Sequence, residues 1–275
     1  HAGHSRGAAP FSPPLAVTAE QPVHCKAPAG ACGICAPGIY MITVAAGLAA
    51  VAAAPNGISA RPGASFGHRI GSASAPMKLE AWYDFACASS ARSFLALTEE
   101  VLPSYLRTGR VQFLHYQYPQ PWHAPGAYAA EVSLAVELVD PEAYFTTCKR
   151  FFEKQEDLVF DIVSYDMTRA EMYGLLASAA HEASGVDAQA VLERVRFLGT
   201  SSNAGNAVGQ LLRQYSQHGR NHRIHATPTV LVNGIEVPSD SSGWTRQAWS
   251  DYLDKRLAAL AEPGHSAVAP SKRPS

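Results

Sequence analysis

Residues 77–90 read Met77-Lys78-Leu79-Glu80-Ala81-Trp82-Tyr83-Asp84-Phe85-Ala86-Cys87-Ala88-Ser89-Ser90. Met77, Leu79, Ala81, Tyr83 and Phe85 alternate with Lys78, Glu80, Trp82 and Asp84, a period of two that predicts a strand. Over residues 89–106 the spacing becomes helical, with Phe94, Leu97, Val101 and Tyr105 on one stripe and Pro103 expected to kink or shorten the last turn. Gly109 punctuates the chain, and residues 111–116 form a second strand of β-formers. Strand, helix and strand in about 40 residues make a βαβ unit with a right-handed crossover.

Downstream, the next hundred or so residues read as helices. Asp140-Pro141 caps one that carries Tyr144, Phe145, Cys148 and Phe152 on its apolar side. Thr168 and Glu171 form a capping box. Asp187 caps a further helix through Leu198, and residues 204–218 make another that stops before Gly219. The period of two then returns in Val230-Leu231-Val232, Asn233-Gly234, Ile235-Glu236-Val237. Asn-Gly accepts the positive φ values of a type I′ turn, so this is a hairpin. Trp249, Leu253, Leu257 and Leu260 define a last amphipathic helix. The order β-α-β, helical block, β-β, α predicts an α/β fold: a mixed sheet with helices packed on it and a helical insertion.

Composition narrows the function classes. The 275 residues carry 22 basic and 23 acidic side chains, a net charge of -1, which offers nothing to attract nucleic acid or an anionic membrane. His218 and His222 stand at helical ligand spacing, but Gly219 lies between them and the glutamate of a zinc-helix motif is missing. No phosphate-binding glycine loop is visible. Residues 1–57 hold only Arg6, Glu20 and Lys26 as charged groups, among seven glycines and seven prolines. The apolar run from Met41 to Ala54 is too short to span a bilayer. It fits the core and small-residue end of a signal peptide at 41–57, although no basic residue follows Met41. A disordered Ala/Pro-rich tail is the alternative. Residues 1–40 read as a low-complexity or non-native upstream segment, and 263–275 as a polar tail.

Cys25, Cys32 and Cys35 fall upstream of Met41. The pair Cys32-Gly33-Ile34-Cys35 lacks the strand before it and the helix after it that a redox dithiol needs. Cys87 and Cys148 remain, too few for a disulfide framework. Cys87 stands where the first strand meets the first helix, so its sulfur meets the free amides and positive dipole end of that helix, which favour the thiolate. An inert, buried thiol is the plainer reading. In Ala226-Thr227-Pro228-Thr229-Val230, Pro228 precedes the hairpin strand; statistics of X–Pro bonds favour the trans form, and a cis bond in a tight turn is the alternative.

This combination resembles the DsbA-type branch of the thioredoxin fold over residues 66–261, with a domain at 58–262 and a helical insertion at about 121–220. The resemblance implies a nucleophilic role for Cys87, a cis Pro228 beside it, and a Thr227 backbone that pairs with extended substrate. In that family the motif is Cys-x-x-Cys; here Ser90 takes the second position, giving Cys-Ala-Ser-Ser. A serine hydroxyl can donate a hydrogen bond to the thiolate but cannot form a disulfide, so a second thiol must release any mixed disulfide. Cys148, on an apolar face, is read as core or as that resolving thiol. Pro121-Trp122-His123 matches Trp-His sequences of relatives, and His123 either reaches the cleft or sits at a helix entry. Trp82 and Asp84 either line the cleft mouth or lie beneath the insertion; His222 and His225 are weaker candidates.

Three functions follow. The first is a monothiol oxidoreductase acting on protein or glutathione disulfides, in the secretory pathway or outside the cell. The second is a transferase like the kappa-class glutathione transferases, with Ser89 or Ser90 supplying the hydroxyl that holds glutathione's thiolate. The third is a degenerate module that binds extended polypeptide without catalysis. No bound cofactor or metal is expected, and glutathione is the candidate co-substrate.

Overall fold

The computed structural model describes residues 67–199 and 202–261. The upstream segment, the signal-like run, Cys25, Cys32, Cys35 and the tail from 263 lie outside the described residues. The alternating segment forms β2 (Met77–Tyr83), parallel to β3 (Val111–Gln117) with Leu79 opposite Phe113 and Ala81 opposite His115. β4 (Thr229–Val232) runs antiparallel to β2, and β5 (Ile235–Glu236) closes the hairpin. Asn233 and Gly234 take φ of 49° and 79° at the turn, as the Asn-Gly pair requires. The mixed sheet has five strands in the order β1-β3-β2-β4-β5, the thioredoxin-like arrangement expected of the fold class.

The edge strand β1 (His68–Ile70), antiparallel to β3, carries no alternation and was not legible in the sequence. Side-chain contacts from three helices hold it: α3 (Ala124–Val139), α4 (Tyr144–Glu153) and α9 (Gly209–Asn221). His68 Nδ1 meets Glu137 of α3 at 2.5 Å, its Nε2 meets the Tyr215 hydroxyl of α9 at 2.9 Å, and its ring stacks on Tyr144 of α4 at 3.7 Å. Tyr144 in turn bonds His115 Nδ1 at 3.1 Å and accepts from Gln117 at 2.7 Å. These hydrogen bonds offset part of the cost of burying polar side chains in the core.

The crossover from β2 to β3 is not one continuous helix. It runs as α1 (Ala88–Leu95), a π-helical turn over Ala96–Val101, and α2 (Leu102–Arg107) with Pro103 in its first turn. Proline lacks an amide hydrogen, so it fits a helix start better than the helix interior the spacing implied. Between β3 and β4 the chain is helical. It includes α5 (Gln155–Leu158), α6 (Asp161–Ser164), α7 (Arg169–Ser184), which begins with the Thr168–Glu171 capping box, and α8 (Ala188–Val195). α8 ends before the expected Leu198. α10 (Arg246–Ala261) packs Trp249 and Leu253 into the core.

α9 starts later than residue 204 and continues through Gly219, where a stop was expected. The reason is steric. A Cβ on Gly219 would lie 2.4 Å from the Tyr118 ring, whose hydroxyl is tied to the Ile224 carbonyl at 2.9 Å. Gly219→Ala should therefore destabilise the fold by about 1–3 kcal/mol, the usual cost of overpacking. An exposed helical glycine would instead gain about 1 kcal/mol from that change. Urea unfolding distinguishes the two signs.

Candidate functional site

Cys87 occupies the N-cap position of α1, with φ -89° and ψ 114°, and is half-buried. The Cys87 side chain makes no capping hydrogen bond to the amides of the first turn, which its backbone position leaves without a side-chain partner from this residue. The Sγ thiol donates to the Thr227 carbonyl at 3.3 Å across 140 residues of chain. The Thr227–Pro228 bond is cis, against the trans form that residue statistics favour. The sulfur thus lies directly against the peptide group that precedes β4.

Asp84, at the end of β2, anchors the loop that carries Cys87. Its side chain is fully buried, yet three donors converge on it. Oδ1 accepts the Ala86 amide at 3.0 Å; Oδ2 accepts the Gln120 amide at 3.0 Å and meets His123 Nδ1 at 2.6 Å. The Asp84 carbonyl also accepts the Cys87 amide at 3.0 Å. Burial pushes the Asp84 carboxyl above its ordinary range; the Gln120 amide, the His123 side chain and the Ala86 amide pull it down. Gly126, in the first turn of α3, lets the carboxylate approach that closely: a Cβ there would sit 2.2 Å from Oδ1. His123 is the N-cap residue of α3, a helix entry, and its ring meets the Asp84 carboxylate.

Trp82 and Asp84 are covered rather than lining the cleft mouth. Trp82 stacks on Tyr116 at 4.5 Å and lies beneath His218 of α9 and the C-cap residue His222 at 6.0 and 5.8 Å. Burial, then the neighbouring His222, push His218 down to about 4. This pair of histidines serves as a roof for the sheet, and His225 is exposed on the approach to Thr227. Among the described residues no cluster of three or more His, Cys, Asp or Glu is placed to hold a metal.

Ser90 departs from expectation. It is fully buried, and its hydroxyl accepts the Asp84 amide at 3.3 Å; no hydrogen bond joins it to Cys87. The hydroxyl points back at the strand end because that amide has no other acceptor in the turn. Ser89 accepts from Arg92 at 2.9 Å. Cys148 is fully buried in α4, and burial pushes its thiol well up, as a core side chain. Gln155 escaped sequence reasoning altogether. From α5 its side-chain amide donates to the Phe85 carbonyl at 2.6 Å and the Cys87 carbonyl at 3.1 Å. The Cys87 carbonyl also accepts the Ala91 amide at 3.1 Å as α1 begins, so Gln155 adds a second donor there and ties the loop to α5.

A family model described as Thioredoxin matches residues 64–255. A putative protein-disulfide isomerase from Pseudomonas syringae aligns at a TM-score of 0.53 and 18% identity, over 68% of this chain and 98% of its own. BdbD from Bacillus subtilis (oxidised) gives 0.53 and 18%, over 70% and 93%. Chlamydia trachomatis DsbA gives 0.52 and 15%, over 71% and 91%. No curated protein matches the chain.

The raised Asp84 carboxyl sets the sign of a pH effect. A group whose folded value lies above its unfolded one contributes stability below the ordinary aspartate range, and loses it as pH rises through the folded value. The stability of the wild type minus that of Asp84→Asn should therefore fall across that window. Urea unfolding at stepped pH measures it; a difference that grows with pH contradicts the assignment.

Proposed function

The chain belongs to the thioredoxin family, and from that premise we propose that it carries out thiol–disulfide exchange on protein disulfides through Cys87 alone. The observation that supports this most is the contact of the Cys87 thiol with the Thr227 carbonyl at 3.3 Å, at the open start of α1. In the exchange, the Cys87 thiolate attacks one sulfur of a substrate disulfide. A new S–S bond forms, the old one breaks, and the departing sulfur leaves with the electron pair.

Ionisation has a structural consequence in this reading. A thiolate no longer donates to the Thr227 carbonyl, so that acceptor becomes free to pair with the amide of an extended substrate strand. Asp84 and Gln155 hold the loop on both sides of the sulfur while this happens. They are positioning residues.

Ser90 takes the place of a resolving cysteine, so the mixed disulfide waits for an external thiol. Glutathione, or a second thiol of the substrate, fills that role by attacking the same bond. Release by a substrate thiol amounts to disulfide isomerisation; one glutathione only takes over the mixed disulfide, and a second glutathione, leaving as glutathione disulfide, completes a reduction. The apolar run at 41–54 supports placing this chemistry in the secretory pathway or outside the cell, where disulfides persist. Among the described residues no helix is long and apolar enough to cross a membrane.

The test is a pair of variants. Wild-type protein mixed with a scrambled disulfide substrate should yield a covalent adduct at Cys87 that a small thiol releases, and Cys87→Ser should yield none there. Ser90→Cys should form an internal disulfide on oxidation and gain dithiol reductase activity towards insulin. Failure of both to appear would leave the fold with a binding role only.

A further inference from the structure

Between Glu193 and Glu236 the chain carries five arginines and no acidic residue, in a protein whose net charge is only -1. This stretch contains α9 and the segment that leads to Thr227, so the imbalance ends beside Cys87. Arg213, Gln217 and Arg220 are exposed at i, i+4 and i+7, one face of the helix about 10 Å long. Arg223 and His225 are exposed on the approach to Thr227.

This basic bank is fixed in place. The Tyr118 hydroxyl donates to the Ile224 carbonyl, the Ile224 amide to the Gly219 carbonyl and His222 Nδ1 to the His218 carbonyl, each at 2.9 Å. Trp82, opposite Thr229 in the sheet, packs beneath His222. Yet among the described residues the side chains of Arg213, Arg220 and Arg223 enter no hydrogen bond or ion pair. Arg220 suits the negative end of α9. Arg223 lies beyond that end, at φ 58°, a left-handed conformation in which glycine or asparagine is the usual residue. Its charge serves no contact within the fold.

We infer that this bank draws acidic polypeptide to Cys87. The inference rests on the exchange reaction proposed above and adds a substrate class to it. A strand paired with Thr227 runs at one end beside residues 226 to 223, and four residues of chain span at most about 14 Å. An acidic residue within about four positions of the substrate cysteine, on that flank, therefore comes within reach of Arg223. A longer acidic flank continues along Arg220 and Arg213. Glutathione, a tripeptide of at most about 10 Å, is too short to follow it. Arginine stays charged at every working pH, so the attraction needs no titrating histidine.

The test uses peptides whose one cysteine is activated as a mixed disulfide with 2-thiopyridine, an uncharged leaving group. The Cys87 thiolate attacks the peptide sulfur, the peptide–thiopyridine bond breaks, and the electron pair leaves with thiopyridine. The departing group takes up the proton that Cys87 lost, and one disulfide replaces another with no net oxidation. Each rate is the part lost in Cys87→Ser, divided by the rate of the same peptide with mercaptoethanol, which removes its intrinsic reactivity. Flanks of about eight residues, longer than the chain from Thr227 to Arg220, alternate Asp with Gly or Asn with Gly. Asp should raise the rate about tenfold at low salt, on one side of the cysteine only, and the gain should shrink at high salt. It should collapse when Arg220→Gln and Arg223→Asn are combined, with reaction of the Asn peptide showing that the variant is folded. It should persist in Arg107→Gln, which removes a charge at the far end of the sheet. Equal rates for Asp and Asn flanks, or the same gain on both sides, overturn the bank and leave exchange standing. A gain that survives loss of both arginines does the same. Glutathione activated in this way should gain less over its dimethyl ester than the Asp peptide gains over the Asn peptide; an equal gain overturns the polypeptide as ligand. Silence of Cys87 towards every disulfide overturns both readings.

Discussion

A carboxylate with no exposed surface holds the cysteine end of this molecule together. Asp84 gathers the Ala86 amide, the Gln120 amide and the His123 ring around its two oxygens. It thereby joins the end of β2, the Cys87 loop, the exit of β3 and the entry of α3. Burying a charge so completely is unfavourable unless hydrogen bonds surround it, and here they do. The packing of Gly126 against Oδ1 leaves no room for a side chain on the helix that covers it. The position of Cys87 follows from this knot: the turn that begins at Asp84 returns the chain to the N-cap of α1.

The opposite bank of the site comes from distant parts of the chain. Thr227 supplies the carbonyl that meets the thiol, and Gln155 donates to the two carbonyls leading into the helix. Both are held by larger elements, β4 within the sheet and α5 within the helical insertion. The site is therefore a junction between sheet and insertion.

The elements legible in the sequence were those written as local periodicity or local chemistry. β2 and the cysteine after it, the Thr168–Glu171 box and the Asn233-Gly234 turn each need only a few neighbouring residues. β1 was invisible because His68-Arg69-Ile70 has no pattern of its own and is held by Glu137, Tyr215 and Tyr144. Gly219 read as a stop because its role, room for the Tyr118 ring, depends on a residue a hundred positions away. Trp82 and Asp84 alternated onto what looked like the outer face of a strand. β2 is central, however, and helices cover both of its faces, the usual condition of parallel pairing. The position of Cys87 was legible, since a cysteine at a strand-to-helix junction is a local signal. Gln155 was not, because nothing in its own helix marks it out.

The most direct test concerns the sulfur itself. Labelling the full chain with iodoacetamide at neutral pH, in the native state and in urea, with the modified cysteine assigned by mass spectrometry, compares Cys87 with an unfolded thiol in the same molecule. A nucleophile at an open helix start should be alkylated about ten times faster folded than unfolded. A native Cys87 that reacts no faster than in urea would contradict the account.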